Sequence, residues 1–130
     1  MYRWGEHVGE LELELEAPTE PAVFRDAFAA FCELVADGQA SDAEQRTIEL
    51  QAAERASLLA AWLEELVYLA DAERFVPERL VDLQLDGDRL RAAVRGRRGE
   101  PRPLVKAVTR HRLAFERADD GWRARVVLDV

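Results

Sequence analysis

The chain has 130 residues, 48% of them hydrophobic and 34% charged, with a formal net charge of −8. Length and balance predict one domain over residues 1–130, with a core of ordinary size. No apolar run approaches the roughly 20 residues that span a bilayer, and no signal-peptide core follows Met1, so the expected location is cytoplasmic. The single Cys32 allows no internal disulfide, and the negative charge argues against binding nucleic acid over the whole surface.

Residues 9–16 alternate. Leu11, Leu13 and Leu15 fall on one side and Glu10, Glu12, Glu14 and Glu16 on the other, the period of a half-buried strand. Thr19 is placed to cap a helix that Pro21 opens. That helix is predicted to run to Asp37, with Gly38 as its left-handed stop. Its stripe of Phe24, Phe28, Phe31 and Val35 reads as core rather than as a ligand box. Cys32 beside it reads as a small buried hydrophobe. Residues 46–52 alternate again through Ile48 and Leu50. A second helix over 54–71 carries Leu58, Leu59, Trp62, Leu63, Leu66, Val67 and Leu69, a stripe wide enough to predict the central helix. The rest reads as strands over 79–86, 88–95, 104–117 and 122–129. Turns fall at Asp86-Gly87 and Asp119-Asp120-Gly121, and a basic, proline-containing loop over 96–103. The order β-α-β-α-β-β-β-β predicts an α+β fold, two helices covering one face of a mostly antiparallel sheet.

Charge is unevenly distributed. Residues 1–88 hold 6 basic and 21 acidic residues, whereas residues 89–130 hold 12 and 5. The stretch 89–112 sets 9 basic residues against Glu100 alone. Such a stretch either steers an acidic partner or lies beside the chain's own acidic strands and is neutralised there. Both readings stand on the sequence.

Several chemistries have no motif here. There is no phosphate-cradling glycine loop, no paired-cysteine zinc pattern and no GxSxG elbow. His7 and His111, the only histidines, are too few for a transition-metal site without further ligands. Asp129 alternates onto the face opposite Trp122, Ala124, Val126 and Leu128. The α-carboxylate of Val130 follows at once, and Glu10 joins them if the 9–16 strand lies alongside. An all-oxygen group of this kind suits a hard cation such as Ca2+; the competing reading is a frayed terminus with solvated charges. Lys106 is the only lysine among 18 basic residues. Against an arginine-rich background, a compact ammonium with an adjustable pKa invites a chemical role. The alternative is one exposed strand lysine kept by chance.

Four words occur in a telling order. They are Tyr2 with Glu6-His7-Val8-Gly9-Glu10, the helix word running from Ser57 to Leu66, the word Val105-Lys106-Ala107-Val108-Thr109-Arg110-His111, and the ending from Gly121-Trp122 to Leu128-Asp129-Val130. Through them the chain resembles the archease family over most of its length. The resemblance implies a small cytoplasmic accessory protein, not itself an enzyme, that assists an RtcB-type RNA-splicing ligase. That ligase joins RNA ends bearing a 2′,3′-cyclic phosphate or 3′-phosphate to 5′-hydroxyl ends through a guanylylated histidine. The accessory protein promotes the guanylylation and allows multiple turnover, meeting RNA only indirectly. The resemblance further implies a calcium-type site at Glu10, Asp129 and Val130, with Lys106 as a partner or phosphate contact accompanied by His7, Glu54, Thr109 and His111. The chain also departs from the family pattern. The usual His-Thr-Ala-Asp is His7-Val8-Gly9-Glu10, a usual Asp is Glu54, a usual Tyr is Arg110, an acidic residue is Leu104, the final Ile is Val130, and the 96–103 loop is short. Two other readings compete. One is a metal-independent interaction module using the basic 89–112 stretch. The other is a small metal-dependent nucleotide hydrolase with Glu10 and Asp129 as ligands, for which the sequence offers no recognisable base or nucleophile.

Overall fold

The computed structural model describes residues 1–36, 38–100 and 105–130. Its elements are β1 (Tyr2–His7), β2 (Glu10–Ala17), α1 (Glu20–Val35), β3 (Glu44–Gln51), α2 (Arg55–Ala72), β4 (Phe75–Asp86), β5 (Arg89–Arg98), β6 (Ala107–Ala118) and β7 (Gly121–Asp129). Every pairing is antiparallel, and the strands form two sheets, β1-β2-β7-β6 and β3-β5-β4. Helix α1 packs on β1, β2 and β7 of one sheet and β4 of the other; α2 packs on β6 of one and β3 and β4 of the other. The helices therefore lie between the sheets, which explains the wide buried arc of α2 from Leu58 to Ala70.

The α+β class and the predicted run of elements hold. Two features go beyond the prediction: strand β1 precedes β2, and the strands divide into two sheets that enclose the helices rather than one sheet covered on one face. Strand β1 escapes pattern reading because it is an edge strand, half-buried to exposed along its length, with Gly5 inside it. Helix α1 ends at Val35, earlier than predicted. Ala36 turns extended, and its N–H still reaches the Cys32 carbonyl at 2.9 Å. Gly38 adopts φ 86° but stands past the cap. Asp37, Leu104 and the 101–103 part of the predicted basic loop lie outside the described residues. Strand β4 begins four residues before its predicted start and carries Pro77 at a register shift, which an edge strand tolerates. Strand β5 runs on through Gly96, where a Cβ would stand 2.1 Å from the Val76 carbonyl oxygen; only glycine lets β4 approach that closely.

Aromatic packing ties the layers together. The buried Trp62 Nε1–H donates to the Phe24 carbonyl at 3.0 Å, and its ring stacks on Phe28 with centroids 6.0 Å apart. Phe24 meets Phe115 at 5.9 Å, and Phe115 meets Trp122 at 5.7 Å. The phenylalanine stripe of α1 is core, as its spacing predicts.

Candidate functional site on the outer face of the four-stranded sheet

Alternation along β2 sends Leu13 and Leu15 to the helices and the four glutamates to the opposite, outer face. Strand register then decides what each glutamate meets. Glu16 opposes Arg123, and the two form an ion pair at 3.3 Å. Glu14 lies between Arg3 and Arg125 and pairs with Arg3, whose hydrogen bond holds the Glu14 carboxyl below the usual carboxylate range. Glu12 is only 6% exposed and meets Arg112 at 2.7 Å. Glu10 breaks the series, because its partner across the strands is Asp129.

The Val130 N–H donates to the Gly9 carbonyl at 3.1 Å. Glu10 and Asp129 are therefore the adjacent, non-hydrogen-bonded pair, the kind whose side chains come closest. Neither makes an ion pair among the described residues. Like charges directly opposite one another destabilise a sheet, so this pair is a local cost to folding unless something positive offsets it. Glu10 also pairs with His7 across the β1–β2 turn, where Gly9 takes φ 73° and Val8 stands fully exposed at the tip.

Lys106 sits beside the pair, just ahead of β6. Its backbone N–H donates to the Asp129 carbonyl at 2.8 Å, and the preceding Val105 is buried. The chain is thus fixed on either side of an exposed ammonium that makes no ion pair among the described residues. Thr109 follows one row inward, opposite Val127, and its Oγ1 accepts the His111 N–H at 3.1 Å. The fold therefore gathers His7, Glu10, Asp129, Val130 and Lys106 at one end of the sheet, with Thr109 and His111 next to them.

Glu54 is not gathered there. It forms the N-cap position of α2 without a side-chain cap bond. Its neighbour Arg55 pairs with Glu20 at 2.7 Å and reaches the Gly87 carbonyl. This locates it at the start of α1, the far end of the 8-residue β2 from Glu10, a span of about 23 Å.

Oxygen donors alone suit a hard cation of the calcium class. Among the described residues no three His, Cys, Asp or Glu side chains converge to hold a metal ion. A cation here would rest on the Glu10 and Asp129 carboxylates and on main-chain oxygens such as that of Val130. The fit is thus partial: two directly opposed carboxylates with no ion-pair partner among the described residues, short of a three-carboxylate group.

The basic stretch 89–112 behaves differently from a free steering patch. Arg91 meets Glu49, Arg95 meets Asp42, Arg97 meets Glu78, Arg98 meets Glu44, Arg110 meets Glu64 and Arg112 meets Glu12. These six arginines lie against the chain's own acids, whereas Arg89 makes no ion pair among the described residues.

Sequence reading missed the irregularity of β6. Its register shifts between Thr109 and Ala114, leaving Arg110 to Leu113 opposite Val126 alone, and Arg112 adopts φ 62°. The signal was present: alternation fails across Arg110-His111-Arg112, three polar residues in a row, as at a bulge. Cys32 is a second chemically capable group, but burial pushes its thiol up to about 12, with Glu78 adding to the effect. It is inert rather than catalytic.

The model of the Archease protein family (MTH1598/TM1083) matches residues 2–130. A protein archease of Pyrobaculum neutrophilum is 30% identical, covering 99% of this chain and 95% of the relative. A protein archease of Methanosarcina acetivorans is also 30% identical, with the same coverage. The solution structure of Methanobacterium thermoautotrophicum protein 1598 superposes with a TM-score of 0.77 at 26% identity, covering 99% of this chain and 98% of that one. The crystal structure of an archease, possible chaperone, from Thermotoga maritima shares the fold with a TM-score of 0.73 at 21% identity, covering 100% and 98%. The match spans both sheets, the two helices and the end that carries His7, Glu10, Lys106 and Asp129, and the chain belongs to the archease family.

Proposed function

We propose that this protein is a non-catalytic activator of an RtcB-type RNA-splicing ligase, promoting formation of the ligase's guanylylated histidine and its multiple turnover. The observation that carries the proposal is the end of the sheet where Lys106, backbone-bonded to Asp129, stands beside the Glu10–Asp129 pair. An exposed ammonium with no ion-pair partner among the described residues, held on a fixed backbone, suits contact with a phosphate or a carboxylate of another molecule. Glu10, Asp129 and the main-chain oxygen of Val130 would hold a calcium-class cation. When bound, that cation would neutralise the carboxylates and offer an open position to a phosphate oxygen. The residues' own part is to position Lys106 and to keep the acidic pair available. The proposed setting is cytoplasmic; among the described residues no helix is long and apolar enough to cross a membrane.

The test is a ligation assay with the ligase, GTP and RNA ends of the stated chemistry, with and without this protein. Lys106→Ala is expected to keep the wild-type melting temperature and to lose at least tenfold in stimulation, in line with losing one charge-assisted contact of about 1.5–3 kcal/mol. Full stimulation by the variant would refute the role of Lys106. The interaction-module reading has less support, because six of the arginines in its stretch are already paired within the chain.

A further inference from the structure

Two residues inward from Glu10, the same face carries an unusual arrangement. Glu12 is the one buried charged residue among those described, at 6% exposure. Its Oε1 lies 2.7 Å from Arg112 Nη1, yet it accepts no well-aligned hydrogen bond. Its carboxyl also lies within hydrogen-bonding reach of Glu14 on the same face, and Arg112 is the cation that ion-pairs with it. The cation that holds it is delivered by the irregular segment of β6. Left-handed Arg112 is itself fixed by Arg125, whose Nε–H donates to the Arg112 carbonyl at 2.9 Å. To reach β2 from β6 its side chain must cross β7 near Val127, which is 1% exposed although it sits on the outer face. A non-glycine residue at positive φ costs about 1 kcal/mol or more, so the rest of the structure imposes this reach.

We propose that Arg112 is a tethered counter-cation that withholds Glu12 from the neighbouring Glu10–Asp129 pair and thereby sets the cation affinity of that pair. The inference rests on the cation reading of the pair given above. Successive same-face residues of a strand lie about 7 Å apart, within reach of a flexible carboxylate. With Glu12 free, three carboxylates would border one end of the sheet, and affinity for hard cations rises with the number of charged oxygen ligands. As the structure stands, Glu12 is turned toward Arg112 and no three-carboxylate group is formed. Arg112 thus tunes the site without touching the ion.

Titration calorimetry with calcium chloride tests the proposal on the full chain. Arg112→Asn suits the left-handed backbone, and Arg112→Met keeps an aliphatic cover over Val127; both remove the cation. Either variant, folded by circular dichroism, is expected to bind calcium at least about tenfold more tightly than wild type. Adding Glu12→Gln should return affinity to the wild-type value, and Asp129→Asn should abolish binding in every background. Wild-type affinity in both Arg112 variants, beside measurable wild-type binding, would overturn the role of Arg112 and leave the Glu10–Asp129 site standing. No binding by any protein would overturn both. Binding by the Arg112 variants alone would support the tether and overturn the native pair as a cation site by itself.

Discussion

Asp129→Asn should stabilise the protein when no divalent cation is present, and the size of the effect follows from the register. Glu10 and Asp129 form a non-hydrogen-bonded cross-strand pair, which sets their Cβ atoms about 5 Å apart, a separation that also scales the distance between their charges. Two like charges at that distance repel by about 0.8 kcal/mol at the dielectric of water and about 3 kcal/mol at an effective value of 20. Both residues are half-buried, but cross-strand pairs are worth only about 0.2–1 kcal/mol, which favours the lower figure, and physiological salt trims it to about 0.5 kcal/mol. For a domain of this size that is a rise of about 2 °C in melting temperature. Calcium should reverse the order. A ligand at a hundredfold excess over its Kd stabilises the native state by about 2.7 kcal/mol, or about 8–10 °C, in the wild type alone. Thermal melts in EDTA and in calcium measure all four conditions. A variant less stable than wild type in EDTA would show that Asp129 is a structural residue. A variant that keeps the calcium shift would show that the cation binds elsewhere.

Two further predictions concern the core. Trp62→Phe removes the indole donor to the Phe24 carbonyl and part of the ring stacked on Phe28, and should cost about 2 kcal/mol in urea unfolding; a loss below about 0.5 kcal/mol would contradict the packing described. Cys32 should be slow to react with a disulfide reagent at pH 8. Its thiol is raised from 9.0 to about 12, which cuts the thiolate fraction by about a thousandfold relative to the unfolded chain. The greater nucleophilicity of the more basic thiolate recovers about twentyfold, leaving a native rate about fiftyfold lower. The same shift predicts stability lost with rising pH. The native state holds this proton more tightly than the unfolded state, so unfolding is favoured progressively between pH 9 and about 12. Native labelling within threefold of the urea-unfolded rate would contradict the burial of Cys32.

How much of this was legible in the sequence depends on whether a feature is local. The period of two along residues 9–16 and the helical stripe from Phe24 to Val35 fixed their elements, because burial of one face enforces those periods. Strand β1 was not legible, since an edge strand with one partner is under weak hydrophobic constraint. The division into two sheets was also hidden: tight turns reveal that neighbouring strands are antiparallel, but not that β5 returns to pair with β3. The fate of the basic stretch turned on that pairing, because Glu49 opposes Arg91 and Gln45 opposes Arg95 only in the β3–β5 register. Glu54 was carried into the candidate site by resemblance, and the fold sets it at the opposite end.

The site itself was half legible. The sequence shows four glutamates in alternation, and nothing in that alternation distinguishes Glu10 from Glu12, Glu14 or Glu16. The difference lies entirely in what the register sets against them. Three meet arginines from β1, β6 and β7, and one meets an aspartate. On a surface chosen only for stability, the fourth position would carry an arginine as well, since a cross-strand pair of opposite charges contributes roughly 0.2–1 kcal/mol where a pair of like charges costs a similar amount. The chain has 17 arginines, and none of those described ion-pairs with Asp129 or Glu10. Its single lysine stands beside them instead, with the ammonium in no ion pair among the described residues. That break in an otherwise complementary face, more than any residue taken alone, is what sets this end of the sheet apart from the rest of the strand.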